Sequence, residues 1–198
     1  MKIPAPLLAA LCAAAAAAGA AIDLTPTVAA ARFGYFVANR LQFLHDGKKI
    51  AISLDSDAQV LAADGGATVR FKSLQQATVT FRQSPLTPAV AFDADGLERY
   101  RRAALQLLPS SAEALTADDA AADPESINGG HSYRFTYSFE IAKVPMRESI
   151  MFLNIDASEQ LVVQTGAMAK HFEEAARRAS SMVRGWHELT PAEERGEN

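Results

Sequence analysis

The chain of 198 residues has a single cysteine, Cys12, inside an apolar run near its start. A lone thiol cannot staple a domain, so burial of apolar surface has to hold the fold together. No basic excess is present either. The formal net charge is −4, which argues against a nucleic-acid surface, since that would show a basic stripe. Beyond residues 7–18 no apolar run approaches the roughly 20 residues that a spanning helix needs. Catalytic signatures are missing as well: there is no Gly-x-Ser-x-Gly elbow, no Ser-x-x-Lys frame and no glycine-rich phosphate loop. The four histidines, His45, His131, His171 and His187, are scattered. With no second thiol, a zinc site would need converging imidazoles and carboxylates. These absences remove the disulfide scaffold, the helical membrane protein and the nucleic-acid binder. They leave enzyme chemistry unsupported, and neither cofactor nor metal is expected.

What is present begins with a targeting segment. Lys2 precedes an apolar stretch over residues 7–18, and Ala18-Gly19-Ala20 and Gly19-Ala20-Ala21 both offer small residues at cleavage positions. Residues 1–21 are therefore read as a secretory signal peptide, residues 22–189 as a single α+β domain and residues 190–198 as a polar, frayed tail. Losing Lys2 moves the net charge to about −5. The expected location is periplasmic or secreted, with no stable membrane span after cleavage.

The strictest alternation in the chain is Tyr133, Phe135, Tyr137, Phe139 and Ile141, separated by Ser132, Arg134, Thr136, Ser138 and Glu140. Successive strand side chains point to opposite faces, so the five apolar groups line one face and the polar set meets water or the next layer. Apolar runs at residues 150–155 and 161–163 predict two more strands. Met168, Phe172, Ala175, Ala176, Ala179, Met182 and Val183 recur at helical spacing, which predicts a final helix laid on the apolar face of that sheet. Trp186 lies beyond Gly185, which can take the left-handed conformation that ends a helix, and is expected to pack under the helix end against the sheet of residues 133–141, with an exposed partner anchor as the rival role.

Earlier in the chain, His45-Asp46-Gly47-Lys48 predicts a two-residue hairpin turn that pairs Phe43 with Ile50 and Leu41 with Ile52. Asp64-Gly65-Gly66 marks a second reversal. Ala77, Val79 and Phe81 should face inward on a strand ended by Pro85 and Pro88. Residues 24–31 are read as a short helix with Thr25 as its cap and Pro26 at its first position. Asp95 and Glu98 suggest a capping box for a helix that carries Leu97, Tyr100, Ala104, Leu107 and Leu108 on one face and stops at Pro109. Residues 110–130 show no sustained apolar period and are read as a long surface loop. The order strands, helix, strands, helix gives an α+β class: a mainly antiparallel sheet of about six to eight strands with two principal helices packed on it.

This order of elements, from the strand pair near Gly47 to the helix ending in Trp186, resembles the PsbP-like group of small α/β/α sandwich domains. That group includes thylakoid-lumen extrinsic subunits, a nuclear Ran-binding protein and many bacterial envelope proteins. Members are mostly adaptors, chaperone-like binders or assembly factors without a shared active site, so the resemblance implies a sandwich fold and a binding role but no particular residue.

Among residues that could carry function, Arg99 and Arg102 share one helix face and could meet an anionic partner, with Arg101 to the side. Asp118, Asp119, Asp123 and Glu125, like Asp55 and Asp57, lack the spacing of a calcium loop and are read as solvated carboxylates. Glu173-Glu174 and Arg177-Arg178 should form exposed i,i+4 pairs. The expected function is a secreted, non-enzymatic binding or assembly-accessory protein of the bacterial cell envelope, with another envelope protein as its partner. The alternatives are a hydrolase or lyase with a site near residues 110–130, and a small-ligand carrier.

Overall fold

The computed structural model describes residues 22–33, 35–86, 89–123, 130–155 and 159–194. The expected signal segment, Pro88, Pro124, Glu125 and the last four residues lie outside them. Among the described residues, eleven strands form two antiparallel sheets. The smaller runs β1-β2-β3-β11, from β1 (Asp23–Phe33), β2 (Phe36–His45), β3 (Lys48–Ser53) and β11 (His187–Glu188). The larger runs β4-β5-β6-β10-β9-β8-β7, from β4 (Ala58–Ala63), β5 (Gly66–Phe71), β6 (Thr78–Gln83), β7 (Glu113–Asp123), β8 (Ser132–Ile141), β9 (Val144–Asn154) and β10 (Gln160–Met168). Two principal helices, α1 (Ala94–Leu107) and α2 (Phe172–Arg184), are accompanied by a short α3 (Pro191–Glu194). The expectation of one sheet of six to eight strands is thus corrected: the first hairpin and the chain end form a second layer of their own.

The β2–β3 hairpin is built as its turn residues dictate. Asp46 and Gly47 both take positive φ, 51° and 74°, the conformation a type I′ turn requires. Leu41 pairs with Ile52 and Phe43 with Ile50, and all four are buried. The β4–β5 reversal at Asp64-Gly65 leads into Gly66, where a Cβ would collide with the Phe81 carbonyl oxygen of the neighbouring strand. Ala77, Val79 and Phe81 are buried, as the pattern predicts.

Two hydrophobic layers flank the larger sheet. On one face α2 and the smaller sheet enclose Leu41, Phe43, Ile52, Val79, Phe81, Leu161 and Met182 among others. On the opposite face α1 covers Phe135, Tyr137, Phe139, Ile150, Phe152 and Val162, with Tyr100 fully buried between them. The aromatic face of β8 is therefore covered by α1, and α2 lies against the other face, the reverse of the expected assignment. Alternation says which side chains share a face; it does not say which of two amphipathic helices covers it. β9 and β10, central in the sheet and buried on both faces, read as near-continuous apolar runs for that reason.

Three local readings are corrected. Residues 24–31 belong to β1. The Asp23 side chain accepts from the Thr25 N–H at 2.9 Å, so the cap-like residues make a local turn, and a register shift between Asp23 and Thr27 accommodates Pro26 on this edge strand. The cap of α1 is Asp93, whose Oδ1 accepts from the Gly96 N–H at 2.7 Å, two residues before the Asp95 expected. Residues 113–123, read as loop, form edge strand β7. Its outer side pairs with nothing in the sheet and most of its side chains are exposed, which removes the apolar period that sequence reading relies on.

Candidate functional site

Polar groups are buried on the α1 side of the larger sheet. The Tyr100 hydroxyl donates to the Val90 carbonyl oxygen, and the two hydrogens of Gln160 Nε2 are divided among three acceptors within reach: the Tyr100 hydroxyl, the Val90 carbonyl at 2.8 Å and Asn154 Oδ1 at 2.9 Å. Burial pushes the Tyr100 phenol up to about 12, so it stays protonated and acts as a donor. Near the end of α1, Gln164 Nε2 donates to the Leu107 carbonyl at 3.0 Å and to the Glu148 carboxylate. Glu148 is 5% exposed, and burial pushes its carboxyl up to about 7 against the opposing Gln164 hydrogen bond and the Arg82 charge. Thr68 and Thr80 share a hydrogen bond of 3.0 Å on the adjoining strands. Glu148 and Gln164 are sixteen residues apart on neighbouring strands, so no spacing in the sequence announces the pair.

The sequence-predicted residues fall in several places. Arg99 and Arg102 are exposed on α1. Arg102 lies 3.9 Å from Glu98, while Arg101 meets the same carboxylate at 2.9 Å. Trp186 is 4% exposed and packs against Phe43 and Phe81, ring centroids 5.7 and 6.2 Å away, in the layer shared with the smaller sheet and not against β8. Gly185, preceding it, has φ −83°, so the helix ends without the left-handed turn.

Arg178 departs most from expectation. It reaches past Glu174 (2.8 Å) to Asp57 (3.0 and 3.2 Å) and Asp55 (3.4 Å), and stacks 5.0 Å over the Phe71 ring. Its side chain is only 18% exposed. Hydrogen bonds from Ser73 above all, with Arg178 assisting, hold the Asp57 carboxyl below the usual range. The two aspartates are thus partners of a helix-pinning arginine. Arg177 pairs with Glu174 at i,i+3, and Glu173 turns to Arg147 at 2.6 Å instead of making the expected i,i+4 pair. Asp118 accepts from Ser138 (2.5 Å) and Arg147 (3.1 Å).

The expected tail is docked over residues 190–194. Thr190 and Glu193 exchange hydrogen bonds of 3.0 and 3.3 Å as a capping box, and Glu193 receives Arg40 at 3.2 Å and His187 at 3.3 Å. The signal that sequence reasoning missed, Thr-Pro-x-Glu, stands in the chain. Among the described residues no group of three His, Cys, Asp or Glu side chains is gathered as a metal site. No helix among them is long and apolar enough to cross a membrane.

The exposed apolar surface concentrates on the β1–β2 ribbon. β2 pairs with β3 from Arg40 onward and the Leu54 N–H reaches the Asn39 carbonyl at 2.9 Å, so among the described residues only the outermost part of the ribbon, residues 36–38 of β2, is paired with β1 alone. Val28 is the register partner of buried Leu41, and Val37 lies four residues before Leu41 on the same face. Yet Val28 is 49% and Val37 65% exposed, because the core stops beneath Leu41 while the apolar face continues; Tyr35 at the tip is fully exposed. A concavity of about 350 Å³ lies between α1 and β7, lined by Arg101, Leu105, Asp118, Phe135 and Tyr137.

No family model and no curated protein matches this chain. Solved structures do. The solution structure of cyanobacterial PsbP (CyanoP) from Synechocystis sp. PCC 6803 matches with a TM-score of 0.53 at 9% identity, over 80% of this chain and 97% of that one. A point mutant of the protein Mog1 matches with a TM-score of 0.49 at 10% identity, covering 78% and 97% of the two chains. LpqN of Mycobacterium tuberculosis, described as involved in cell envelope biogenesis, matches with a TM-score of 0.48 at 10% identity, covering 84% and 92%. At such identities the likeness concerns architecture alone: the chain carries a PsbP-like fold.

Proposed function

We propose that this is a secreted, non-enzymatic binding or assembly-accessory protein of the bacterial cell envelope, which meets another envelope protein through the apolar face of the β1–β2 ribbon. The observation that carries the reading is the continuation of the Leu41 face into exposed Val28 and Val37. A two-stranded ribbon is marginal in water by itself, and solvated apolar surface on it favours a covering partner. Arg99 and Arg102 on α1 form the rival contact, suited to an acidic partner. Photocrosslinking from position 37, position 102 and the exposed control position 170 in intact envelopes tests both. A single adduct from position 37, lost when Val28→Ser is added in a protein that otherwise melts like the parent, is expected. Adducts from position 102 alone would move the surface to α1, and equal yields from all three would sink the binding reading.

The groove between α1 and β7 supports a second reading, a small-ligand carrier, because its volume and its Leu105, Phe135 and Tyr137 lining lie in the range of ligand sites. Native mass spectrometry of the purified protein decides it: a retained adduct released by Leu105→Arg favours the carrier, and a bare mass opposes it.

A further inference from the structure

The first described residue is gripped at its backbone nitrogen. Ile22 N lies 3.0 and 3.1 Å from the two carboxylate oxygens of Glu159, and Gln83 Nε2 donates to the Ile22 carbonyl oxygen at 3.3 Å. The Ile22 side chain is 3% exposed and belongs to the core. Glu159 is itself largely withdrawn from water, with a side-chain exposure of 14%, and His45 Nε2 stands 3.4 Å from it. Asp46 is 4.0 Å beyond that imidazole, and the neighbouring Asp23 carboxylate is occupied by the Thr25 N–H. A peptide nitrogen has one hydrogen to divide between two carboxylate oxygens. An ammonium has three and a full charge, and a carboxylate held away from water is better matched by an ion. In the sequence, Gly19-Ala20-Ala21 puts small residues one and three positions before the Ala21–Ile22 bond.

We propose that export hydrolyses the Ala21–Ile22 bond and that the new α-ammonium of Ile22 is captured by Glu159, with His45 alongside, sealing the mature N-terminus into the core. This rests on the export part of the reading above. Water is the co-reactant and an envelope peptidase the catalyst: the C–N bond breaks, Ala21 leaves with the hydroxyl as its carboxylate, and the amine keeps a proton as ammonium. Of the two cleavage positions in the sequence, only this one delivers the terminus to Glu159; cutting one residue earlier interposes Ala21. Because Ile22 is buried, hydrolysis has to precede closure of the domain, and closure then hides the terminus from aminopeptidases.

The full chain, expressed in an exporting host and purified from the envelope, tests this. Intact mass should show a start at Ile22. Acetylation of the Ile22 α-amine, followed against pH, should titrate above the ordinary value of about 8, since an ion pair raises it whereas burial alone would lower it. Glu159→Gln should speed that labelling about tenfold, equivalent to one unit. If Glu159→Gln does not accumulate folded, the parent titration decides alone. A start at Ile22 with an amine titrating below 8, or with labelling unchanged by Glu159→Gln, overturns the capture and leaves export standing. A start at Ala21 overturns the cleavage position, and an intact Met1 overturns both.

Discussion

The two faces of the larger sheet are buried by different chemistry. On the α2 side the layer is aliphatic around Phe43, Phe81 and Trp186, and its buried uncharged polar groups are hydroxyls: Ser132, Thr136, Ser149 and Thr165. On the α1 side the layer is aromatic and encloses the amide of Gln160 and the carboxyl of Glu148. Small hydroxyls fit against a sheet with little desolvation. Amides and carboxyls are costly to bury; here the Nε2 atoms of Gln160 and Gln164 meet acceptors that fix geometry, while their Oε1 atoms are buried without a partner among the described residues. Gln160 ties α1's Tyr100 to the sheet and Gln164 ties α1's last carbonyl. The α2 side thus stabilises by burial, while the α1 side positions its helix by hydrogen bonds and depends on protonation.

The largest test of that difference is Trp186→Ala, which removes an aromatic from the drier side. It should cost about 3–5 kcal/mol, a large share of a domain's roughly 5–15 kcal/mol. Urea titration reads it, and a loss below about 1 kcal/mol would mean the ring is not core. Next comes Glu148→Gln on the other side. With an ordinary carboxyl value near 4.3, Glu148 is protonated in both folded and unfolded chains at lower pH, where its full contribution is present. Between there and about 7 only the unfolded chain ionises, so stability falls as pH rises through that window and then levels off. The variant should therefore exceed the parent by on the order of 3 kcal/mol at about pH 8 and show no gain at about pH 4. An equal gain at both pH values would show that Glu148 does not hold its proton.

Arg178→Ala sharpens the comparison from the rim of the α2 side. It breaks the contacts with Asp57, Asp55 and Glu174 and uncovers Phe71, at a cost of about 1–2 kcal/mol after allowance for solvent. Thermal melts in low and high salt check it, since the ionic part should shrink with salt. Arg102→Ala, on the wetted face of α1, should change stability by less than about 0.5 kcal/mol; a larger loss would mean that this face is packed against something.

Much of the core layer is visible in the sequence, for physical reasons that differ by element. The Asp46-Gly47 turn and the Leu41–Phe43 pattern agree, so one register satisfies both. The Tyr133 alternation and the α2 stripe follow from burying one face. The chain is less legible where local chemistry is put to another use. Ala142 and Lys143 make the β8–β9 turn at φ 49° and 65° without glycine, imposed by the ten pairs of the hairpin, and this hides the first half of β9 from a sequence reading. Asp23-x-Thr25-Pro26 looks like a helix start and serves as an edge-strand irregularity. The candidate surface is less legible still. Val28 falls in the segment read as a helix, and only the extent of the neighbouring strand decides that Val28 and Val37 lie outside the core.

The register of β11 has a consequence for timing. His187 and Glu188 pair with Ala51 and Ile50, and Trp186 closes over Phe43, so the layer begun by the first strands is completed by the last ones. Contacts separated by well over a hundred residues are slow to form, because chain entropy must be lost before they are rewarded. A nascent chain cannot close this layer until its final turn is available. A polypeptide that stays open that long is suited to being threaded before it folds, and it is exposed to proteases and to its neighbours until residue 189 arrives.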